Sequence, residues 1–200
     1  MLYALGLIAI LIAALTAAIW LAPAQTLAAL QNAARSRAGL ERKEIVVDGV
    51  RVVYLEGGSG EPLLLMHGFG GEKDSFVRVA RYLTPHYRVI LPDVPGFGES
   101  DKRTDIGYSV DEIVERMHRF AAALGAQKLS IGGNSMGGLL AAAYTAKHPG
   151  EVKTLWMLSA GPKNGVPKSD LTLALEAQGG SLAPKTVEDF EQTLQYVVAK

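Results

Sequence analysis

The fold class the sequence predicts is α/β: a mostly parallel sheet with helices on both faces. Three observations predict it. Short apolar runs of strand length alternate with stretches of helical spacing. Such strand–helix–strand alternation implies parallel pairing under helical cover. Glycine-rich segments directly follow three of the apolar runs, where turns at strand ends are expected.

The elements follow in order. Ile45–Val47 and Arg51–Leu55 flank Asp48-Gly49, a two-residue turn signal, and read as a hairpin. Pro62–Met66 is apolar throughout, as a strand buried on both faces should be. Ser75–Leu83 has helical spacing, with Phe76, Val79, Ala80 and Leu83 on one face. Tyr87–Leu91 reads as a strand. Ser109-x-x-Glu112 is a capping box that opens a helix running to Gly125. Leu129–Gly132 reads as a strand, Met136–His148 as a helix and Thr154–Ser159 as a strand. Beyond Gly161 the pattern changes to Gly, Pro, Ser, Asp and Lys around Leu171–Leu175. A helix is then expected from Thr186-x-x-Asp189, with Phe190, Leu194, Val197 and Val198 on one face. This part reads as an excursion above the sheet.

Composition narrows the function. Twenty Lys plus Arg balance twenty Asp plus Glu, so the net charge is zero and no basic nucleic-acid footprint exists. At 48% hydrophobic residues the chain is no disordered polymer. With no cysteine, thiolate metal sites and a cysteine nucleophile are excluded. The four histidines, at 67, 86, 118 and 148, are too scattered along the chain to suggest a zinc cluster, and no metal or other cofactor is expected.

No charged side chain precedes Arg35, and Leu2–Leu21 is apolar apart from Gly6 and Thr16. About 20 such residues cross a hydrocarbon core as a helix. Tyr3 and Trp20 lie near its ends, where amphipathic rings favour the interface. Ala22-Pro23-Ala24 resembles a signal cleavage site, but the run is long and lacks a basic n-region. The expected organisation is a single-pass anchor (or signal peptide) over 1–22, a linker over 23–43, the α/β core over 44–160 and a lid segment over 161–200. Arg35, Arg37, Arg42 and Lys43 follow the apolar run and favour a cytoplasmic soluble domain.

Three motifs carry chemistry. Gly133-Asn134-Ser135-Met136-Gly137 matches G-x-S-x-G between an apolar strand and a helix-prone run. In that context Ser135 is a nucleophile on a sharp strand-to-helix turn. His67-Gly68-Phe69-Gly70-Gly71 follows the Pro62–Met66 strand, where backbone N–H groups can face a developing oxyanion. The expected pair is the N–H of Phe69 and that of Met136. Gly68, Gly70 and Asn134 should border the substrate. His67 is placed with them, though its ring reads as mainly structural. Asp93-Val94-Pro95-Gly96-Phe97-Gly98-Glu99-Ser100 reads as a bend that shapes the pocket.

In this order, HGFGG, DVPGFGES and GNSMGG resemble the oxyanion loop, the turn after the fourth strand and the nucleophile elbow of the α/β-hydrolase superfamily. The resemblance covers roughly Glu44 to the C-terminus. With the apolar N-terminal segment and a lid helix in Thr186–Lys200, it is nearest a membrane-associated, monoacylglycerol-lipase-like group of ABHD6 type and bacterial lipases similar to it. It implies a serine hydrolase of carboxylic esters, small-molecule or lipid, acting through an acyl-enzyme without metal. GNSMGG also resembles the C–C bond hydrolases of aromatic ring cleavage. A serine at the elbow argues against epoxide hydrolases and haloalkane dehalogenases, whose nucleophile is an aspartate.

The sequence departs from that family in one respect. The triad order is Ser, acid, His, yet the only histidine after Ser135 is His148, expected at the far end of the following helix. His86 and His118 read as solvated, and Asp170, Glu188 and Asp189 have no histidine partner in the sequence after Ser135. The expectation is a truncated chain that lacks the catalytic acid and histidine and is inactive alone, the ester-hydrolase activity belonging to the full-length parent. A non-catalytic, membrane-tethered hydrolase-fold protein is the alternative.

Overall fold

The computed structural model describes residues 19–161 and isolated positions at 6, 7, 16, 173, 186, 188 and 191. The expected lid helix, the Leu171–Leu175 stretch and most of the apolar N-terminal run lie outside the described residues. Among the described residues no helix is long and apolar enough to cross a membrane.

Helix α1 (Pro23–Arg37) leads into a hairpin of β1 (Leu40–Val47) and β2 (Val50–Gly57). At its turn Asp48 and Gly49 both have positive φ, +50° and +73°, as a type I′ turn requires. The hairpin is longer than its sequence signal. Leu40–Lys43, read as the end of a linker, opens β1, because Ala38 and Leu40 are buried against the core.

β3 (Glu61–Met66) is followed by a 3₁₀ turn (Lys73–Phe76) and helix α2 (Val77–Leu83). The tighter first turn changes the phase of the helix. Val77 therefore joins Phe76 and Ala80 inside, while Val79, expected inside, is 42% exposed. Then come β4 (Tyr87–Pro92), α3 (Val110–Ala123), β5 (Leu129–Asn134), α4 (Met136–Lys147) and β6 (Val152–Leu158). The capping box forms: Ser109 Oγ accepts from Glu112 N–H, and Glu112 Oε2 accepts from Ser109 N–H.

The sheet order is β1-β2-β4-β3-β5-β6. β3 pairs in parallel with β4 and β5, and β5 with β6, while β1–β2 and β2–β4 are antiparallel. The apolar β3 serves both faces. Leu64 and Met66 pack with Ile113, Met117, Phe120 and Leu140 of α3 and α4. Leu63 and Leu65 pack with Phe76, Val77 and Ala80 on the other side. Central position in the sheet places the carboxyl ends of β3, β4 and β5 together, and each ends in one of the three motifs.

Candidate active site

Ser135 sits between β5 and α4 with φ +53° and ψ −115°, a conformation L-residues rarely adopt. Several contacts hold it there. Ser135 N–H donates to the Leu158 carbonyl at 2.9 Å, and its carbonyl accepts from Leu139 and Gly161 N–H, each at 3.1 Å. Close approach explains the flanking glycines. A Cβ on Gly137 would lie 1.9 Å from the Met66 carbonyl oxygen, and one on Gly133 only 2.3 Å from Gly137 carbonyl carbon. Only bare backbone lets α4 start this near the end of β3.

The Met66 end of β3 therefore delivers the His67–Gly71 loop beside the elbow. A Cβ on Gly68 would be 3.4 Å from both Ser135 Cβ and the Asn134 carbonyl oxygen. Gly71 N–H donates to the Gly68 carbonyl at 3.0 Å, so Phe69 and Gly70 occupy the middle of a tight turn. As the first residue of α4, Met136 has an N–H without an intrahelical acceptor. Phe69 and Met136 both line a cavity of about 460 Å³, with Phe97, Tyr108 and Ile113 completing its apolar wall and Lys102 and Arg103 its polar one.

His67 lies beneath this loop, 1% exposed, and is not among the residues lining the cavity. Its Nδ1 bonds to the Gly68 carbonyl at 2.8 Å and its Nε2 accepts from Val94 N–H at 3.1 Å. Together these bonds fix the neutral Nδ1–H tautomer and tie the β3 loop to the β4 loop. Burial pushes the His67 pKa below its ordinary value. Its ring and that of Phe69 both meet Phe97 edge-on, with centroids 5.5 and 5.4 Å apart. The bend expected of the DVPGFGES segment thus supplies a wall through Gly96 and Phe97.

Sequence reasoning missed the support under that wall. Asp93 is fully buried and accepts from Lys73 N–H (2.6 Å), Lys73 Nζ (3.1 Å) and Glu99 N–H (2.8 Å). Gly98 has no room for a side chain, since a Cβ there would lie 2.2 Å from Asp93 Cγ. Lys73 Nζ also reaches Glu99 Oε1 at 2.6 Å, and Arg42 holds the same carboxylate at 2.7 Å. Burial opposes the Lys73 charge, but hydrogen bonds to Glu99 and Asp93 outweigh it and raise its pKa. No local sequence signal marks Lys73 and Asp93 as a buried pair.

Among the described residues no side chain hydrogen-bonds the Ser135 hydroxyl. His148 caps the far end of α4, twelve residues or about 18 Å along the helix. His86 is exposed. His118, read as solvated, is instead stacked on His148 and paired with Glu151.

The alpha/beta hydrolase fold family matches residues 61–200. Lipase 1 of Psychrobacter immobilis is 44% identical over 172 residues, covering 83% of this chain and 53% of the relative. A 2-hydroxy-6-oxo-6-(2'-aminophenyl)hexa-2,4-dienoic acid hydrolase of Metapseudomonas resinovorans is 36% identical over 134 residues, 65% of this chain and 46% of that one. The crystal structure of a membrane phospholipase A, described as a bacterial virulence factor, superposes with a TM-score of 0.81 at 40% identity, covering 97% of this chain and 63% of that one. The chain spans about half the length of the curated relatives it matches. It belongs to the α/β-hydrolase fold family and is lipase-like within it.

Proposed function

We propose that the protein hydrolyses carboxylic esters of lipids, monoacylglycerol-type substrates first among them, through an acyl-enzyme on Ser135. One observation carries the reading: the apolar cavity is lined by Phe69, from the loop that lies against Ser135, and by Met136, the residue that follows it. Ser135 Oγ attacks the ester carbonyl while a general base takes its proton and later passes it to the departing alcohol. The oxyanion that develops is held by the N–H groups of Phe69 and Met136, donors already fixed by the Gly68–Gly71 turn and the start of α4. Collapse expels the alcohol, and water then releases the acyl group. None of the four histidines is assigned as base, because His67 is engaged by backbone and the other three lie away from the elbow. The apolar Leu2–Leu21 segment supports a membrane-held substrate and single-pass anchoring, with the soluble domain on the cytoplasmic side.

A second reading, hydrolysis of a C–C bond in an anionic ring-cleavage product, draws support from Lys102 and Arg103 on the cavity wall. Their charges are already engaged, however. Arg103 binds Asp105 through two bonds of 2.9 and 2.5 Å, and Lys102 donates to the Gly98 carbonyl. This favours an uncharged ester.

The test is labelling with a fluorophosphonate, followed by intact mass. One adduct, lost in Ser135→Ala, is expected. Hydrolysis of a monoacylglycerol with no turnover of a dienoic ring-fission acid should accompany it. Absence of any adduct would leave a non-catalytic hydrolase fold.

A further inference from the structure

A second cluster of chemistry-bearing side chains lies at the opposite end of α4 from Ser135. His118 on α3 and His148 at the end of α4 are remote in sequence, yet their rings stack with centroids 3.9 Å apart and planes 7° from parallel. Glu115 lies one turn before His118 on α3 and approaches His148 Nε2 at 3.6 Å. Glu151 holds His118 Nε2 at 3.1 Å. One ring nitrogen from each histidine and one Glu115 carboxylate oxygen lie mutually within 4.8 Å.

The surroundings show unfilled polar capacity. Tyr144 is fully buried and packs against both imidazoles, at 5.8 and 5.2 Å between centroids. Its hydroxyl, His148 Nε2 and Glu151 Oε2 are all buried without a hydrogen-bond partner. Buried polar atoms are nearly always satisfied; Tyr144 and Glu151 can satisfy one another, which leaves His148 Nε2 as the atom that marks a place for a ligand.

We infer that Glu115, His118 and His148 form a binding site for a borderline divalent transition metal of the zinc class. Two imidazoles and one carboxylate suit zinc, cobalt, nickel or copper, whereas calcium and magnesium prefer all-oxygen sets. Glu151 takes the outer role of the carboxylate that orients a ligating histidine. Parallel rings direct their lone pairs side by side, so closing on an ion takes ring rotation. The histidine and glutamate side chains are 18–37% exposed, which leaves room to turn and a path for the ion. Lys147 competes for Glu115 at 3.0 Å but has Asp111 at 3.3 Å as another partner. At about 18 Å along α4 from the elbow, the metal would staple α3 to the α4–β6 loop and take no part in ester chemistry.

The experiment is titration of untagged, chelator-treated protein with zinc, by calorimetry and thermal melting. One ion per chain is expected. At zinc about 100-fold above the dissociation constant the melting temperature should rise by roughly 5–10 °C. Affinity should fall at acid pH, because imidazole must be neutral to bind. His118→Gln and His148→Gln should each weaken binding by more than ~10-fold, since even outer ligand partners matter at that level. His86→Gln should leave it unchanged. No saturable binding, or binding unaltered in both ligand variants, would overturn the site. If those variants fail to fold, copper bound to the unaltered protein decides: hyperfine coupling to two imidazole nitrogens supports the site, and coupling to fewer refutes it.

Discussion

Lys73 Nζ lies 3.1 Å from Asp93 Oδ2, and both side chains are fully buried. The pair joins the segment leaving the His67–Gly71 loop to the segment leaving β4, and Phe69 of the first and Phe97 of the second both line the cavity. Asp93 also takes two backbone N–H groups, so its charge cannot be withdrawn without loosening both walls. Lys73→Met keeps the apolar stem but leaves a buried carboxylate without its cation. It should cost about 3–5 kcal/mol, as breaking a buried pair typically does. Urea unfolding measures it, and a loss below about 1 kcal/mol would show that the pair does not organise the walls.

The elbow depends on missing atoms. Gly137→Ala puts a methyl 1.9 Å from the Met66 carbonyl oxygen and 2.7 Å from that of His67, and neither backbone atom can step aside alone. The start of α4 must move away from β3, taking Met136 N–H with it. Destabilisation of about 3 kcal/mol is expected, at the upper end of ordinary overpacking. Fluorophosphonate labelling of Ser135 should fall in the residual folded protein. Unchanged labelling would mean that the approach of β3 and α4 is not needed for the reactivity of Ser135.

The fold was largely legible in the sequence, because strands buried on both faces, a capping box and an Asp-Gly hairpin turn are local signals. Ser135, Phe69 and Met136, the expected site residues, each lie within a short motif at a strand end, and the structure brings those strand ends together. What escaped was non-local. Asp93 was read only as part of a bend and Lys73 carried no reading, since nothing in a linear sequence says that two loops will bury their charges together. His118 and His148 looked scattered for the same cause, and only the packing of α3 on α4 stacks their rings. The phase of α2 slipped because a 3₁₀ turn precedes it, and periodicity alone cannot distinguish three residues per turn from 3.6.

Acid should weaken the fold in two windows. Arg42 hydrogen bonds, aided by Lys73 against the opposing effect of burial, lower the Glu99 pKa from 4.5 to about 2. A carboxylate lowered on folding contributes stability that is complete above about pH 4.5 and is lost as pH falls towards 2. Glu99 is 43% exposed, so solvent screens much of the effect. His67 acts earlier. Its folded pKa is depressed below 6.5 by burial, so its contribution is intact above that pH and declines as pH drops below it. Melting temperature followed from pH 8 to pH 2 tests this. Glu99→Gln should flatten the limb below pH 4.5 and leave the one near pH 6 in place. A variant curve parallel to the parent throughout would exclude Glu99 from the acid response.

Helix α1 buries none of its residues, so its seat on the domain depends on polar contacts. Arg35 makes a two-pronged pair with Asp74, 2.7 Å from Nε and 2.6 Å from Nη2, and Gln31 reaches Glu72 at 3.3 Å. Both side chains of the ion pair are mostly buried, at 11% and 14% exposure, and screening is therefore weak. Asp74 directly follows Lys73, so α1 is mounted on the turn that leaves the His67–Gly71 loop. A double-mutant cycle of Arg35→Ala and Asp74→Ala should give a coupling of about 1.5–3 kcal/mol, the range for charge-assisted hydrogen bonds. Hydrogen exchange should quicken along α1 in Arg35→Ala while β3 and β5 keep their protection. Coupling near zero would detach α1 from the His67–Gly71 loop. Slower labelling of Ser135 in Arg35→Ala would extend the connection from that mount to the nucleophile elbow.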